Sequence, residues 1–390
     1  MNKILLIASQ YNKVLIWVFL ISILSSFSVS ASSDDLIEGR ILSLNSSVDI
    51  KYNKEVGKRV KQYTVKQRKT TEILLGRVSI YFSTFENILR EEGLPDDLKY
   101  LAVIESGLRP RATSRSGAAG LWQFMKPTGR MMGLDINRTI DERRDVKKST
   151  RAAAKYLKHL HDRFGDWTLA LAAYNCGPGN LRKAIRKSGG HKDFWKIQKY
   201  LPKETRQYIP KFIAISYVMN YYYEHDLVAN MPDQEMLFTS SAQVFQKISF
   251  KGLSNDVGVD LETIKNLNPS YIKNYIPKSK EGKYDLILPT HNMIHATNNY
   301  HVLARIPNKR IIEIVKIVEQ LPRDIVKIQE LVKDGKGKKP ASIRQMRLHF
   351  VTMGNNNEKI IERPNSYKIN SRQKTISDIG HIIKNVKRTL

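Results

Sequence analysis

The sequence predicts a mainly α-helical domain followed by a small α+β module and a basic C-terminal region. Three observations carry this. Apolar residues recur at helical spacing from Glu72 onward, punctuated by glycines. Almost no strand pattern appears before His225. Near Phe238 the texture changes to short apolar runs bounded by turn residues, and beyond Tyr300 lysine and arginine clusters such as Lys333 to Lys339 take over.

The first 31 residues read as a secretory signal: Lys3 and Lys13, the apolar run Val14 to Leu24, and a small-residue site at Val29-Ser30-Ala31. An uncleaved anchor helix is the alternative. No cysteine follows the apolar run, which argues against lipid attachment through one. Residues 32–71 are polar and mixed and are expected to form an extended approach segment. The helical domain is expected over residues 72–232. Its first helix carries Ile80, Phe82, Phe85, Ile88 and Leu89 and stops at Gly93. Leu94-Pro95-Asp96-Asp97 starts a second, with proline and acids where a helix N-terminus favours them. Leu98, Leu101, Ala102 and Ile104 should face inward there, and Gly107 should end it.

The stretch from Gly117 to Gly133 is glycine-rich, suited to a loop or short helix that approaches a ligand. A long helix is expected over Val146 to Phe164, stopped by Gly165. Asp166 should cap the next, Trp167 to Tyr174, before Gly177-Pro178-Gly179 breaks the pattern and another helix runs to Lys187. Glu204 to Tyr223 is again helical, with Pro210 in its first turns or at a kink. Over residues 238–292 a strand is expected at Phe245 to Phe250, a helix at Asp260 to Leu267, a turn at Asn268-Pro269 and a strand at Tyr284 to Leu288. Residues 300–390 read as a basic region, partly disordered or a degraded module.

The net charge is +28 over 390 residues, so the surface attracts polyanions. No zinc-finger spacing, RNP-like strand or bZIP heptad accompanies the charge, which argues against nucleic acid. For an exported chain the anions met are stem-peptide carboxylates, wall polymers and lipid surfaces, to which the basic surface could attach the protein peripherally. Cys176 is the one cysteine, so no intramolecular disulfide forms.

Three segments hold candidate chemistry. Ile104-Glu105-Ser106-Gly107 puts a carboxylic acid at the end of an apolar helix face beside a hydroxyl, and burial there would raise its pKa as a general acid requires. Taken alone, the segment favours an ordinary exposed acid at a helix C-terminus, because acids are common there. Gly120-Leu121-Trp122-Gln123-Phe124-Met125 joins a close-approach glycine to an amide, aromatics and a methionine, suited to gripping sugar rings or simply to core packing. Tyr174-Asn175-Cys176-Gly177 ends a helix with a phenol and an amide, either as ligand groups or as a C-cap. Asp141, Glu142 and Asp145 could supply a second carboxylate, but beside Arg143 and Arg144 they read as ion pairs. His159 and His161 point to different faces of a helix and make a poor metal pair. Cys176 reads as a small buried filler.

In this order and spacing the three segments resemble the lytic transglycosylases of the soluble-lytic-transglycosylase, goose-lysozyme-like superfamily, of the membrane-bound lytic murein transglycosylase D type. Gly93-Leu94-Pro95, Ser114-Arg115-Ser116-Gly117-Ala118-Ala119-Gly120, Asp141-Glu142-Arg143-Arg144-Asp145 and Thr205-Arg206-Gln207-Tyr208 extend the match over about residues 75–226. The resemblance implies a lysozyme-like helical catalytic domain, peptidoglycan glycan strands as substrate, and no metal or cofactor. It implies Glu105 as sole catalytic acid and base, Ser106 positioning it, and Gln123, Met125, Tyr174, Asn175 and Tyr208 as binding or positioning residues. It also implies cleavage to 1,6-anhydro ends, with a lysozyme-like hydrolase or a non-catalytic wall-binding protein as alternatives. The module resembles a divergent LysM domain, through Leu267-Asn268-Pro269 and Tyr284-Asp285-Leu286-Ile287-Leu288-Pro289.

Overall fold

The computed structural model describes residues 33–300 and 302–304. The expected signal at 1–31 and the basic region beyond residue 304 lie outside the described residues. The chain divides into two units, residues 1–43 and 44–390. In the first, helix α1 (Ser33–Leu42) begins with Asp34 and Asp35 and carries Arg40 in its last turn, charges that favour both helix ends.

The second unit begins with a correction. Instead of an extended approach, helix α2 (Lys54–Lys61) is capped by the Asn53 side chain, which accepts from the Glu55 and Val56 amides at 3.0 Å each. Val56 and Val60, one turn apart, are buried with Gly57 between them, while Lys54, Glu55, Lys58, Arg59 and Lys61 occupy the rest of the helix. Two apolar residues among many cations make too weak a period to read, yet they suffice to dock one turn of helix on the body. A π-helical turn, Gln62–Lys66, leads into α3 (Arg68–Glu91), which starts four residues before the expected position.

Leu74, Leu75, Val78, Phe82, Phe85 and Leu89 form the buried stripe of α3. Gly93 ends it with φ +71°, and the Leu94 amide reaches back to Leu89 O at 2.8 Å, as a left-handed helix stop requires. A 3-10 turn, Asp96–Lys99, then feeds α4 (Tyr100–Ser106). Leu98, Leu101 and Ala102 face inward as expected, but Val103 is buried and Ile104 only half-buried. The buried Lys99 ammonium is held by Glu86 at 2.7 Å and Asp96 at 2.6 Å, and Asp97 takes hydrogen bonds from Ser46 and Ser47 that pin the incoming chain.

After the glycine-rich loop and α5 (Lys126–Met131), α6 spans Val146–Phe164, the expected range. Asp145 caps its start and Gly165, at φ +73°, its end. Asp166 caps α7 (Trp167–Cys176), and Pro178 opens α8 (Pro178–Lys187). Short helices α9 (Phe194–Ile197) and α10 (Lys203–Arg206) precede α11 (Tyr208–Tyr221). Phe212, Ile213, Ile215, Tyr217 and Val218 are all buried, so α11 is enclosed on most sides and runs through the core, with Lys211 and Asn220 only half-buried. Pro210 sits in its first turn, where its missing N–H is not needed.

A short helix α12 (Gln234–Leu237) leads to the α+β module. Strand β1 (Thr239–Val244) lies between β4 (Tyr284–Pro289) and β5 (Val302–Ala304), antiparallel to both, with Ser240 opposite Leu288 and Ala242 opposite Leu286. Strands β2 (Ile248–Ser249) and β3 (Tyr275–Ile276) form a second pair. Helices α13 (Phe250–Val257), α14 (Leu261–Leu267) and α15 (Thr290–Asn299) complete the module. The expected strand at 245–250 shrinks to β2. Phe250, Leu253 and Val257 have helical spacing and form α13, and β1 carries only Ala242 and Val244 to the core. Asn268 explains the expected turn: its amide bonds Ile264 O, Ile287 O and the Ile287 N–H, fastening α14 to β4.

Gly76, in the middle of α3, lets the 230–231 backbone pass: a Cβ there would lie 1.7 Å from Asn230 O. Gly76→Ala is therefore expected to destabilise by about 1–3 kcal/mol despite its better helix propensity. Urea unfolding checks this, and an unchanged midpoint refutes it.

Candidate active site

The site is built from the ends of three helices and one loop. Glu105 lies in the last turn of α4, which must stop there because Gly107 adopts φ +60°. Ser106, beside it, is buried. Its hydroxyl is 2.8 Å from Leu121 O and 3.0 Å from Ala102 O, and it accepts from the Arg109 amide at 3.2 Å. The hydroxyl thus joins the helix end to the glycine-rich loop. Arg77 and Arg109 donate to the terminal carbonyls of Gly107 and Ser106, each at 3.0 Å.

Glu105 as a residue is half-buried, but its carboxyl is enclosed. Burial pushes its pKa up to about 7; the Tyr208 hydrogen bond opposes this, the Glu204 charge adds to it and the Lys211 charge reduces it. The Tyr208 hydroxyl, from the start of α11, donates to Glu105 Oε1. Burial, then the nearby Glu105 charge, raises the Tyr208 phenol well above its ordinary range, so it stays a donor. Tyr174, from the last turn of α7, responds in the same way and donates to Trp122 O at 2.7 Å.

The loop from Gly117 to Met125 faces this group. Trp122 is fully buried and its indole donates to Thr150 at 3.0 Å. Gln123 takes φ +50°, and its amide donates to Gly120 O at 2.8 Å. Gly120 has φ +87°, and a Cβ there would be 1.7 Å from Arg143 O. Met125 is 42% exposed at the open edge. Asn175 accepts from Thr205 at 2.7 Å, which ties α7 to α10.

The structure therefore connects Glu105 and Tyr208 directly, brings Tyr174 into their electrostatic reach, and joins Ser106 to the loop that carries Gln123 and Met125. Asn175 faces α10. Sequence reasoning did not single out Glu204 or Lys211, and it read Thr205 only as part of the match that ends at Tyr208. Their signal was spacing: Glu204 stands four residues before Tyr208 and Lys211 three after it.

Asp141 forms the expected ion pair. Burial would raise its carboxyl, but the hydrogen bonds and charge of Arg143 leave it lowered. Glu142 pairs with Lys148 at 2.6 Å, and Asp145 caps α6. His161 stacks on Trp167 with centroids 4.0 Å apart. Cys176 is half-buried rather than fully enclosed, and burial raises its thiol. Among the described residues no group of three His, Cys, Asp or Glu side chains could hold a metal ion.

Residues 83–197 match the Transglycosylase SLT domain family, and residues 239–304 match the LysM-like domain of lytic transglycosylase MltD. The SLT match lies within the helical body. The LysM-like match extends beyond the expected module and takes in α15 and β5. The chain is 41% identical over 147 residues to membrane-bound lytic murein transglycosylase D of Escherichia coli (strain K12), covering 37% of this chain and 32% of that protein. It is 34% identical over 141 residues to membrane-bound lytic murein transglycosylase F of Alcanivorax borkumensis, covering 32% and 28%. The chain thus spans about a third of the length of these curated relatives. The 70 kDa soluble lytic transglycosylase SLT70 of Escherichia coli is similar at 26% identity and a TM-score of 0.32, over 40% of this chain and 26% of that one.

The raised carboxyl makes a stability prediction for the SLT domain. Below about pH 4.5 Glu105 is protonated both folded and unfolded, so it contributes no difference. Between about 4.5 and 7 the unfolded chain releases the proton first, and above 7 the folded state holds a desolvated carboxylate at a cost on the order of 3 kcal/mol. Glu105→Gln should therefore raise the melting temperature at pH 8 and leave it nearly unchanged at pH 4; equal shifts at both would contradict the enclosure of this acid. Tyr208→Phe removes the hydrogen bond that lowers the Glu105 pKa, so proton titration of Glu105 followed by NMR should move to higher pH.

Proposed function

We propose that the protein is a peptidoglycan lytic transglycosylase that cleaves the MurNAc-β-1,4-GlcNAc bond and leaves 1,6-anhydro-MurNAc ends, with Glu105 as the sole general acid and base. The observation that carries this reading is the enclosed Glu105 carboxyl, poised near neutral pH on the SLT domain. The names of the relatives, murein transglycosylases D and F, support the same substrate.

Protonated Glu105 donates to the glycosidic oxygen, and the leaving sugar departs through an oxocarbenium-like state. The carboxylate left behind accepts the Tyr208 hydrogen bond, which stabilises it at the moment it forms. It then takes the proton from the muramoyl C6 hydroxyl, which attacks C1. That hydroxyl outcompetes water because it is tethered, with an effective concentration of roughly 10⁵ M or more when well oriented. Ser106 positions Glu105 through the loop backbone. Gln123 and Met125 line the sugar-binding side, and Tyr174 and Asn175 position its walls through Trp122 O and Thr205.

Glu204 is the acid that a hydrolytic reading would need as a second carboxylate. It is exposed on α10 and close enough to raise the Glu105 pKa. Our reading gives it no catalytic step.

The relatives' membrane-bound names and the N-terminal sequence support export to the cell envelope, with the mature protein in the periplasm. Among the described residues no helix is long and apolar enough to cross a membrane.

Digestion of purified peptidoglycan followed by mass spectrometry of the fragments tests the reaction. Anhydro ends are expected; reducing ends indicate a hydrolase, and no fragments a binding protein. Glu105→Gln should lower fragment release by roughly 100-fold or more. Glu204→Gln should keep anhydro products and move the alkaline limb of the pH profile to lower pH, because the charge that raises Glu105 is gone. Loss of cleavage in Glu204→Gln, with folding intact, would contradict the single-acid mechanism.

A further inference from the structure

The LysM-like module is docked on the helical body by a two-residue strand pairing. Ile140 and Tyr271 form an antiparallel bridge; the Asp141 amide donates to Ser270 O at 2.8 Å and the Ile272 amide to Thr139 O at 3.0 Å. Ile140 is 2% exposed because its side chain belongs to the module's own core, with Phe250, Tyr271 and Leu286. A residue of the SLT side thus completes the hydrophobic interior of the other domain. Lys283 pairs with Asp135 at 2.6 Å and Arg111 with Glu262 at 3.2 Å at the edge of the contact.

The pairing ends where the active-site loop is held. Asp141, whose amide is fixed by Ser270, receives Arg143 Nε and Nη2, each at 2.8 Å. The remaining guanidinium nitrogen, Nη1, donates to Gly117 O at 2.8 Å and Phe124 O at 2.9 Å. Those carbonyls stand at the two ends of the segment that contains Gln123. Gly120 lies against the Arg143 carbonyl so closely that no side chain fits between them. Ser106 and Tyr174 hold the same loop from the Glu105 side. Arg143 fixes its other side, and Arg143 is oriented by an aspartate that the module fastens.

We propose that the LysM-like module is a structural part of the sugar-binding groove: by capturing Ile140 and Asp141 it sets Arg143, which positions the loop of Gln123 and Met125. Arg143 is a positioning residue here. A module that served only to tether the enzyme to the wall would need no shared core with the SLT domain and no contact that ends at this loop.

Hydrogen exchange on the full-length chain tests the link without requiring activity. Ile140→Ala empties the shared core, and Ile140→Ala combined with Ile272→Pro also removes a pairing donor. In both, the amides of Ala119, Gly120 and Phe124 should exchange about 10-fold faster, while α6 and α11 keep their protection. In a Glu105→Gln background the same changes should weaken, by about 10-fold, binding of a glycan fragment too short to reach the module. Arg143→Lys should reproduce the loop effect with the module still docked. None of the three should move the titration of Glu105, which a general loosening of the SLT domain would shift.

Unchanged loop exchange in both undocked variants overturns the proposal, as does weakened binding to whole sacculi with undiminished affinity for the short fragment. The groove role of Gln123 and Met125 rests on the proposed function. A loop that loosens as expected in a protein that leaves peptidoglycan uncut would overturn that function and leave the link standing.

Discussion

A carboxylic acid that stays protonated near neutral pH has to be taken out of water, and the backbone around it must find its hydrogen bonds elsewhere. Much of the helical body follows from meeting that demand at Glu105. The acid sits on the last turn of α4, where carbonyls lose their helical partners, and Arg77 and Arg109 take up the orphaned groups. Ser106 is buried with its hydroxyl committed to backbone carbonyls, so it adds no free dipole beside the acid. Beside it stands α11, a largely buried helix that delivers Tyr208 at its first turn.

The loop opposite has the reverse character. It consists largely of turn backbone, which would be costly to enclose unless each polar group found a partner. Side chains from distant elements supply them: Ser106 to Leu121 O, Tyr174 to Trp122 O, Arg143 to Gly117 O and Phe124 O. The buried Trp122 nails the middle down, while Met125 remains open at the rim. The loop is thus rigid where it borders the acid and accessible where a ligand would arrive. Its conformation depends on Gly120, which alone permits both the left-handed backbone and the approach of Arg143 O.

The legible parts of the chain were those whose signal is local. The ends of α6 and α7 are written in Asp145, Gly165 and Asp166, because caps act over three or four residues. The acid at Glu105 was visible only as a candidate. Its pKa depends on burial and on α10 and α11, about a hundred residues away, which no spacing rule connects to it. The three-segment resemblance supplied that tertiary information. Helix α2 escaped notice because just two valines carry its packing, and β1 because Thr-Ser-Ser-Ala-Gln-Val becomes a central strand through its neighbours rather than its own composition. Glu204 and Lys211 were missed because nothing in the stretch Glu204 to Tyr223, read as one helix, says that the residues flanking Tyr208 reach Glu105; the chain in fact splits there at Gln207.

The charges around Glu105 differ in what they can do. Glu204 and Lys211 act on it in opposite directions, so their electrostatic effects partly cancel and leave burial and the Tyr208 bond to decide its protonation. Those two also oppose each other, but they respond differently as the proton leaves. Burial penalises the carboxylate throughout, whereas the phenol bond strengthens as charge develops on the oxygen. One hydroxyl therefore softens the cost of the ionised state without removing the reason for the neutral one. Under the proposed function, an acid set this way gives up a proton and takes one back within a single site, with no second carboxylate to reset it.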